Sequence, residues 1–367
     1  MIHVADTTHL EPWLRYLWEQ SATDLHFSVG SSPRVRIDGK LVAIPEAPVT
    51  TQEEMDVIHA GLMSRHEAEV YERERQLDYA FSWGDIARFR ANSFHQVGRP
   101  ALALRLIPSQ IPSPEQLGLP AAAAQFVNLP HGLVLVTGPT GSGKSTTLAA
   151  MIGWINQNRP VHILTIEDPI EYVHQSATAL MNQREVGSDA TSFAEALKAA
   201  LREDPDVILV GEMRDLESVA LTLTLAETGH LVFATLHTND AAQTIDRVID
   251  VFPPEQQDQV RTQFSMALAG VIAQRLVPRI GGGRVAAYEV LVATTGVANL
   301  IREGKVRQVR NIIATGVRDG MCVMEQSLGA LIGNGVITLD EALAVSVHPE
   351  DIAGLNPHLG LPTTAKH

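Results

Sequence analysis

Hydrophobic and polar residues follow two different patterns along this 367-residue chain. In the first part, apolar residues from Leu10 to Trp18 recur at helical spacing, and short stretches with an apolar residue at every second position follow. A charged helix is expected from Thr51 towards Arg75, begun by the capping pair Thr51 and Glu54. We expect strands at residues 25–29, 34–37, 87–94 and 101–107. This pattern predicts a small α+β domain.

A proline-rich segment separates the two patterns. Ile107-Pro-Ser-Gln-Ile-Pro-Ser-Pro114 carries three prolines in eight residues, which disfavours both a helix and a central strand. Such a segment is typical of a semi-rigid extended linker. The predicted organisation is therefore a first domain at 1–107, a linker at 108–116 and a second domain at 117–367.

Beyond the linker, short apolar runs alternate with helical segments. This alternation is typical of a parallel sheet covered by crossover helices, so the predicted fold class is α/β. After about residue 255 the pattern indicates mainly helix. The predicted strands of the second domain lie at 132–137, 162–166, 207–210 and 231–236.

Composition narrows the class of protein. Apolar residues make up 45% and charged residues 19% of the chain, without an apolar run of the roughly 18 residues that a membrane-spanning helix needs. The single Cys322 excludes an internal disulfide framework and a four-cysteine zinc site. The first residues lack the basic and apolar regions of a secretory signal, so we expect a cytoplasmic protein. A formal net charge of −14 with scattered positive residues argues against a nucleic-acid partner.

A phosphate-binding loop is the most specific motif in the sequence. Gly138-Pro-Thr-Gly-Ser-Gly-Lys-Ser145 matches G-x-x-x-x-G-K-[ST], follows an apolar strand and precedes a helix. Its glycines let backbone N–H groups surround phosphates, Lys144 neutralises their charge, and Ser145 supplies a hydroxyl to Mg²⁺. We therefore predict ATP and Mg²⁺ as ligands. The predicted nucleotide-binding residues are Gly138, Pro139, Thr140, Gly141, Ser142, Gly143, Lys144, Ser145 and Thr146.

Two glutamates follow predicted strands directly. Glu167 comes after the strand at 162–166, and Glu212 follows the strand at 207–210 with one intervening glycine. Open α/β sheets bind ligands where strands end, so we expect Glu212 to activate the attacking water and Glu167 to assist on the metal side. The alternative is that these carboxylates only cap the next helices.

Two histidines and three arginines complete the candidate site. His230 and His237 lie at opposite ends of one strand, and His237 is at the end expected to face the nucleotide, whereas His230 is equally well explained as a structural residue. Arg88 and Arg90 share one strand face, with Arg105 on the neighbouring strand. Such a cluster is usually solvated, but in ring ATPases a neighbouring subunit supplies arginines to each site.

Together these elements resemble one family, the secretion and type IV pilus ATPases, and most closely its twitching-motility retraction branch. The resemblance covers nearly the whole chain. Residues 21–26 and 33–39 resemble the family's PAS-like N-terminal domain, and Arg88–Asn92 with Arg105–Pro108 resemble its trans-acting arginine strands. The boxes that follow the phosphate loop resemble the Asp box at 165–171, the Walker B segment at 206–215 and the His box at 228–238.

The resemblance implies a RecA-like ATPase domain preceded by a PAS-like domain. It also implies that Glu167, Glu212, His230 and His237 line the ATP site of a hexameric motor. Such a motor powers pilin disassembly in the pilus machinery and docks to a platform protein at the inner face of the cytoplasmic membrane. The extension and type II secretion ATPases are longer and carry a four-cysteine zinc element, which one cysteine cannot supply.

One departure and three alternatives remain. The retraction branch reads Ala-Ile-Arg-Asn-Leu-Ile-Arg-Glu where this chain reads Gly296-Val-Ala-Asn-Leu-Ile-Arg-Glu303, so Ala298 replaces the first arginine. The alternatives are a retraction-accessory ATPase, a pilus or secretion assembly ATPase, and a RecA-like nucleic-acid translocase. The pilus type, the platform partner, the ring symmetry, and the direction and force of movement lie beyond the sequence.

Overall fold

The fold was analysed in a computed structural model that describes residues 5–37, 39–84, 86–108 and 111–355. Two compact units are present: the described residues up to Ile111 with Pro169–Val173, and the described residues of Pro112–Asp168 and His174 onwards. Ser109 and Gln110 of the predicted linker, and 356–367 of the predicted second domain, lie outside the described residues.

The first unit is an antiparallel sheet covered by helices. Its strand order is β3-β2-β1-β6-β5-β4. Buried residues of α1 and α2, such as Leu14 and Met55, pack with Phe27 and Phe89 from the sheet in one apolar core. The elements are α1 (Glu11–Glu19), β1 (Asp24–Ser28), β2 (Arg34–Ile37), β3 (Lys40–Ala43), α2 (Gln52–Leu62), α3 (Arg65–Glu74), β4 (Gln76–Trp83), β5 (Ala87–Gln96) and β6 (Arg99–Pro108).

The single charged helix predicted between Thr51 and Arg75 is two helices. Thr51 caps α2 by accepting the N–H of Glu54 at 3.1 Å, as the capping pair predicts. The helix then ends at Met63, which is extended, and Ser64 begins α3 with a second capping box to Glu67. A serine followed three residues later by glutamate was the sequence signal for this break.

The second unit contains a mixed seven-stranded sheet in the order β13-β12-β7-β11-β10-β8-β9. All neighbouring pairs are parallel except β12 with β13, which is antiparallel. Its strands are β7 (Gly132–Thr137), β8 (His162–Glu167), β9 (Leu180–Glu185), β10 (Val207–Val210), β11 (Leu231–Leu236), β12 (Leu268–Pro278) and β13 (Arg284–Val292).

Helices cover both faces of this sheet, which makes the unit α/β as predicted. One core joins α4 and α5 to the sheet through residues such as Phe126 and Ile152, and a larger core joins α6 to α11 to it through residues such as Leu223 and Phe264. The helices are α4 (Ala121–Phe126), α5 (Lys144–Asn158), α6 (Phe193–Ala200), α7 (Leu216–Glu227), α8 (Ala241–Asp250), α9 (Pro254–Ala267), α10 (Thr295–Arg302), α11 (Val309–Thr315), α12 (Met324–Gly333), α13 (Leu339–Val345) and α14 (Pro349–Leu355).

The region after residue 255 is mainly helical, as predicted, with α9 to α14, but it also contains two strands that the sequence prediction missed. It contains the long hairpin of β12 and β13, and β12 pairs with the central strand β7. The hairpin turn carries Gly281, Gly282 and Gly283, all with positive φ, and this triplet was a turn signal in the sequence. No helix among the described residues is long and apolar enough to cross a bilayer.

Candidate active site

The phosphate loop connects β7 to α5 in the predicted strand–loop–helix context. Gly138, Gly141 and Gly143 have φ angles of 143°, 78° and 89°, which side-chain-bearing residues rarely adopt. Gly143 is the N-cap of α5, so the helix begins at Lys144 and directs its first N–H groups into the loop. This is the arrangement that binds anions at a helix N-terminus.

Lys144 is buried, with 9% of its surface exposed. Its ammonium donates to the carbonyl oxygens of Gly138 at 2.8 Å and Pro139 at 3.2 Å. The same nitrogen lies 3.4 Å from Nδ1 of His237. A cation is therefore held at the mouth of the loop, within reach of the residue that ends β11.

Glu212 links that histidine to an arginine. Its Oε1 lies 3.1 Å from Nε2 of His237, and its Oε2 accepts from Nε of Arg214 at 2.8 Å. Arg214 also approaches Asp168, at 3.9 Å. Side-chain contacts therefore run without a gap from Lys144 through His237 and Glu212 to Arg214.

Glu167 is oriented by its own strand and by its neighbour. The hydroxyl of buried Thr165 donates to Oε1 of Glu167 at 2.7 Å, and Nε2 of Gln183 donates to the same oxygen at 3.3 Å. Because β8 lies beside β10 in parallel register, with Ile166 opposite Val210, Glu167 and Gly211 leave the sheet at one edge. Both predicted glutamates thus lie at the carboxyl edge with the phosphate loop.

Gly211 explains why Glu212 follows its strand by one position. Its N–H donates to the carbonyl of Ile166 at 2.8 Å, so the β10 backbone stays paired to β8 beyond the strand. A Cβ at Gly211 would lie 3.2 Å from that carbonyl oxygen and 3.3 Å from Cα of Glu167. The missing side chain lets the two strand ends approach closely.

His230 is not part of this cluster within one chain. It precedes β11, and its carbonyl accepts the N–H of Gly132 at 3.0 Å, at the amino end of β7. Its ring Nδ1 donates to the carbonyl of Leu225 at 2.8 Å, near the end of α7. The six residues of β11 separate it from His237 by about 20 Å, at 3.3 Å per residue.

The three predicted trans-acting arginines lie in the first unit. Arg90 on β5 is directly opposite Arg105 on β6, so these two guanidinium-bearing residues share one sheet face. Arg88 donates from Nε to the carbonyl of Ile170 at 3.0 Å. Arg105 donates from Nε to Asp24 at 2.9 Å.

Two residues in contact with the predicted site were missed from the sequence. Arg214, two positions after Glu212, lies in the segment at 206–215 that resembles Walker B but was not predicted as a site residue, and it contacts Glu212. Gln274 on β12 is 3% exposed and contacts the phosphate loop through its side chain. It was missed because the region after residue 255 was predicted as helix, so nothing indicated that it adjoins β7.

A buried carboxyl lies close to the loop that follows His237. Glu289 on β13 accepts the N–H of Ala241, the first residue of α8, at 2.8 Å. Burial disfavours its charged form and raises the pKa of Glu289 to about 7. It lines a cavity of about 220 Å³ together with Arg275, Arg310 and Glu325.

The available donors at the carboxyl edge fit a magnesium nucleotide. The serine hydroxyl of Ser145 and the carboxylates of Glu167 and Glu212 are the oxygen ligands that Mg²⁺ prefers. Among the described residues there is no group of three or more His, Cys, Asp or Glu arranged to hold a metal ion.

Comparisons with known proteins cover almost the entire chain. The family model described as Type II/IV secretion system protein matches residues 8–343. The type IV pilus retraction ATPase PilT of Pseudomonas aeruginosa is 48% identical over 338 residues, which are 92% of this chain and 98% of that protein. A twitching motility protein of Neisseria gonorrhoeae is 49% identical over 312 residues, covering 85% of this chain and 83% of the relative.

The fold is likewise similar to a solved structure. The crystal structure of the pilus retraction motor PilT with bound ADP superposes with a TM-score of 0.84 at 48% identity, covering 92% of this chain and 97% of that one. The α/β fold described above is therefore that of an ATPase motor.

Proposed function

Because this chain belongs to the Type II/IV secretion system protein family, we propose that it powers the retraction of a type IV pilus. The chain is an ATPase of that family. The observation that carries the proposal is the 48% identity to a pilus retraction ATPase over 92% of this chain. We further propose that the second unit is RecA-like and the first PAS-like.

The proposed site binds Mg-ATP at the phosphate loop. Backbone N–H groups of residues 138–146 surround the phosphates, and Lys144 exchanges its contacts with the loop carbonyls for phosphate oxygens. Ser145 and Glu167 would hold the Mg²⁺ ion. The bound nucleotide would supply the phosphoanhydride bond that breaks, a water molecule would supply the nucleophile, and ADP would be the leaving group.

Glu212 is proposed to take the proton of the attacking water. Its carboxylate contacts both His237 and Arg214, which fix its orientation and balance its charge. His237 also lies 3.4 Å from the Lys144 ammonium, so it is placed to report the presence of the terminal phosphate to Glu212. His230 has no proposed role in the same chain's site, because its contacts are at the other edge of the sheet.

The arginines of the first unit are proposed to complete a neighbouring subunit's site in a homo-hexamer. Arg90 has its guanidinium on the same sheet face as Arg105. Arg105 would have to leave Asp24, and Arg88 would have to leave the carbonyl of Ile170, to take part. Arg90 is therefore the favoured contributor. Placement at the inner face of the cytoplasmic membrane, on a platform protein, follows from the proposed motor role.

The test of the enzyme is steady-state Mg-ATPase activity in a confirmed hexamer, for wild type and Lys144→Ala. We expect the variant to lose at least about 100-fold, since a phosphoryl transfer depends on charge compensation. Equal activity of the two proteins, with the hexamer intact, would reject the phosphate loop as the site. DNA should not stimulate hydrolysis, because the net charge of −14 opposes a phosphate backbone.

Pilus retraction needs a cell. Deletion of the gene should leave pili that extend but do not retract, and Lys144→Ala should fail to restore retraction where wild type succeeds. Normal retraction in the deletion strain would reject the retraction motor. Residual retraction that depends on a second motor ATPase would instead identify the accessory role.

A further inference from the structure

We propose that Gln274 is a positioning residue of the ATP site, which holds the phosphate loop in its nucleotide-binding shape from beneath. This inference rests on the proposed placement of the nucleotide at that loop. Gln274 belongs to β12, whose Ala273 lies beside Thr137, the last residue of β7. It is therefore one residue beyond the point where the loop leaves the sheet.

The side-chain amide of Gln274 bridges the loop and the helix. Nε2 donates to the carbonyl of Ser142 at 2.7 Å, and Oε1 accepts from the hydroxyl of Thr147 at 2.7 Å. Gln274 and Thr147 are 3% and 1% exposed. In this low-dielectric setting both bonds are shielded from water, and losing one leaves a buried polar group without its partner.

Backbone packing acts in the same direction. A Cβ on Gly138 would collide with the carbonyl oxygen of Gln274, and a Cβ on Gly143 would lie 2.9 Å from its Nε2. Close contact with Gln274 is thus one reason why these two loop positions need glycine, in addition to the approach of the phosphates. The loop is supported at its start by the backbone of this residue and at its end by the side chain.

Gln274 contacts the loop from the sheet side, so it acts through the loop and not on the reacting atoms. It fixes the direction of the Ser142 carbonyl, and hence of the N–H groups around it that would bind phosphate. Its removal should therefore weaken nucleotide binding while leaving the turnover of bound ATP nearly unchanged. A residue that only stabilised the fold would not separate these two quantities.

The experiment compares Gln274→Met with a matched control, Asn156→Leu, in the hexamer. Asn156 is also a buried amide, 5% exposed, and lies on α5, the helix that Gln274 contacts through Thr147, at the end away from the loop. It donates to the carbonyl of Gln175 at 2.8 Å and accepts from the N–H of Ala177 at 3.1 Å. Both changes remove two amide hydrogen bonds and introduce an apolar side chain of similar shape.

We expect Gln274→Met to raise the Kd for Mg-ADP and the KM for ATP about tenfold, which is about 1.4 kcal/mol, with kcat within twofold. Asn156→Leu should lower the thermal midpoint about as much as Gln274→Met does and leave the Kd for Mg-ADP unchanged. A Kd within twofold of wild type for Gln274→Met, or an equal rise for Asn156→Leu, would overturn the inference.

A second variant keeps the test decisive if Gln274→Met does not fold. Thr147→Val removes only the hydroxyl that donates to Oε1 of Gln274. Thr222→Val removes a comparably buried hydroxyl that donates to the carbonyl of Ser218 within α7. We expect Thr147→Val to raise the Kd for Mg-ADP about threefold and Thr222→Val to leave it unchanged. Equal Kd values for the two variants would overturn the inference. Unchanged Mg-ADP binding by Lys144→Ala would instead reject the proposed function.

Discussion

Histidine and acidic side chains lie at both edges of the sheet in the second unit, but they contact different kinds of partner. At the carboxyl edge, Lys144, His237 and Glu212 contact one another through their side chains. At the amino edge, polar side chains bond the backbone: His230 contacts the carbonyl of Leu225, and Asp206 accepts the N–H of His162 at 2.8 Å. Of these groups, those at the carboxyl edge pair with one another through side chains, so a ligand can replace their partners.

Helix direction accounts for the difference. In a parallel α/β unit, strands lead into helix N-termini at the carboxyl edge, where unpaired N–H groups attract anions. Helices end at the amino edge and present carbonyl groups, which need donors. The imidazole of His230 supplies such a donor to the last turns of α7. Chemistry is thus concentrated at one edge by the geometry of the backbone.

The largest test of this comparison exchanges carboxylates for amides at the two edges. Glu212→Gln should lower kcat at least about 100-fold, because the amide cannot accept the water's proton. Asp206→Asn should leave kcat within about twofold and lower stability by about 1 kcal/mol, since it weakens a bond to the His162 N–H. Steady-state ATPase activity and urea unfolding measure the two effects. Similar activity losses in both variants would contradict the assignment of chemistry to one edge.

A buried carboxyl near the carboxyl edge should show a different signature, in stability rather than activity. The folded pKa of Glu289 is raised to about 7, above its unfolded value near 4.5, so the folded state binds more protons between these values. The unfolding free energy should therefore fall as pH rises through this window, by about 1.4 kcal/mol per pH unit.

Glu289→Gln should remove this pH dependence. Between pH 5.5 and 8.5 wild type should lose about 2 kcal/mol more than the variant, corresponding to the roughly 1.5 pH units below the folded pKa. Asp240, Glu325 and Arg310 also influence Glu289, and they are present in both proteins. Urea midpoints at the two pH values give the measurement. Parallel pH profiles for the two proteins would show that Glu289 titrates normally.

Sequence reasoning located the carboxyl edge because its signals are local. The phosphate loop is contiguous, and Glu167 and Glu212 each follow an apolar strand, so strand direction alone brings them together. Sequence reasoning missed Gln274 because its contact with Ser142 spans 132 residues. In addition, a buried apolar strand such as β12 cannot be told from a buried helix by its composition.

His230 is where two lines of sequence reasoning differ. Its position put it at the opposite end of the strand from His237 and alternation on the opposite face, and a structural role was an open alternative. The family resemblance then assigned it to the ATP site with His237. Within one chain the position derived from the strand agrees with the structure, where His230 contacts the end of α7.

The smallest expected effect sharpens the comparison at the two ends of β11. His237→Asn should lower kcat about tenfold, because the ring that links the Lys144 ammonium to Glu212 is lost. His230→Asn should change kcat less than twofold and lower the thermal midpoint by at most a few degrees, since the asparagine amide can still donate to the Leu225 carbonyl.

Both variants replace an imidazole with the same side-chain amide, so the comparison is matched in chemistry and differs only in the edge of the sheet. The readout is kcat for ATP hydrolysis at saturating nucleotide, with the hexamer confirmed for each protein. A tenfold loss in His230→Asn that equalled the His237 effect would mean that the amino edge reaches a catalytic site. Because about 20 Å of β11 separates the two rings, that site would have to belong to another subunit of the ring.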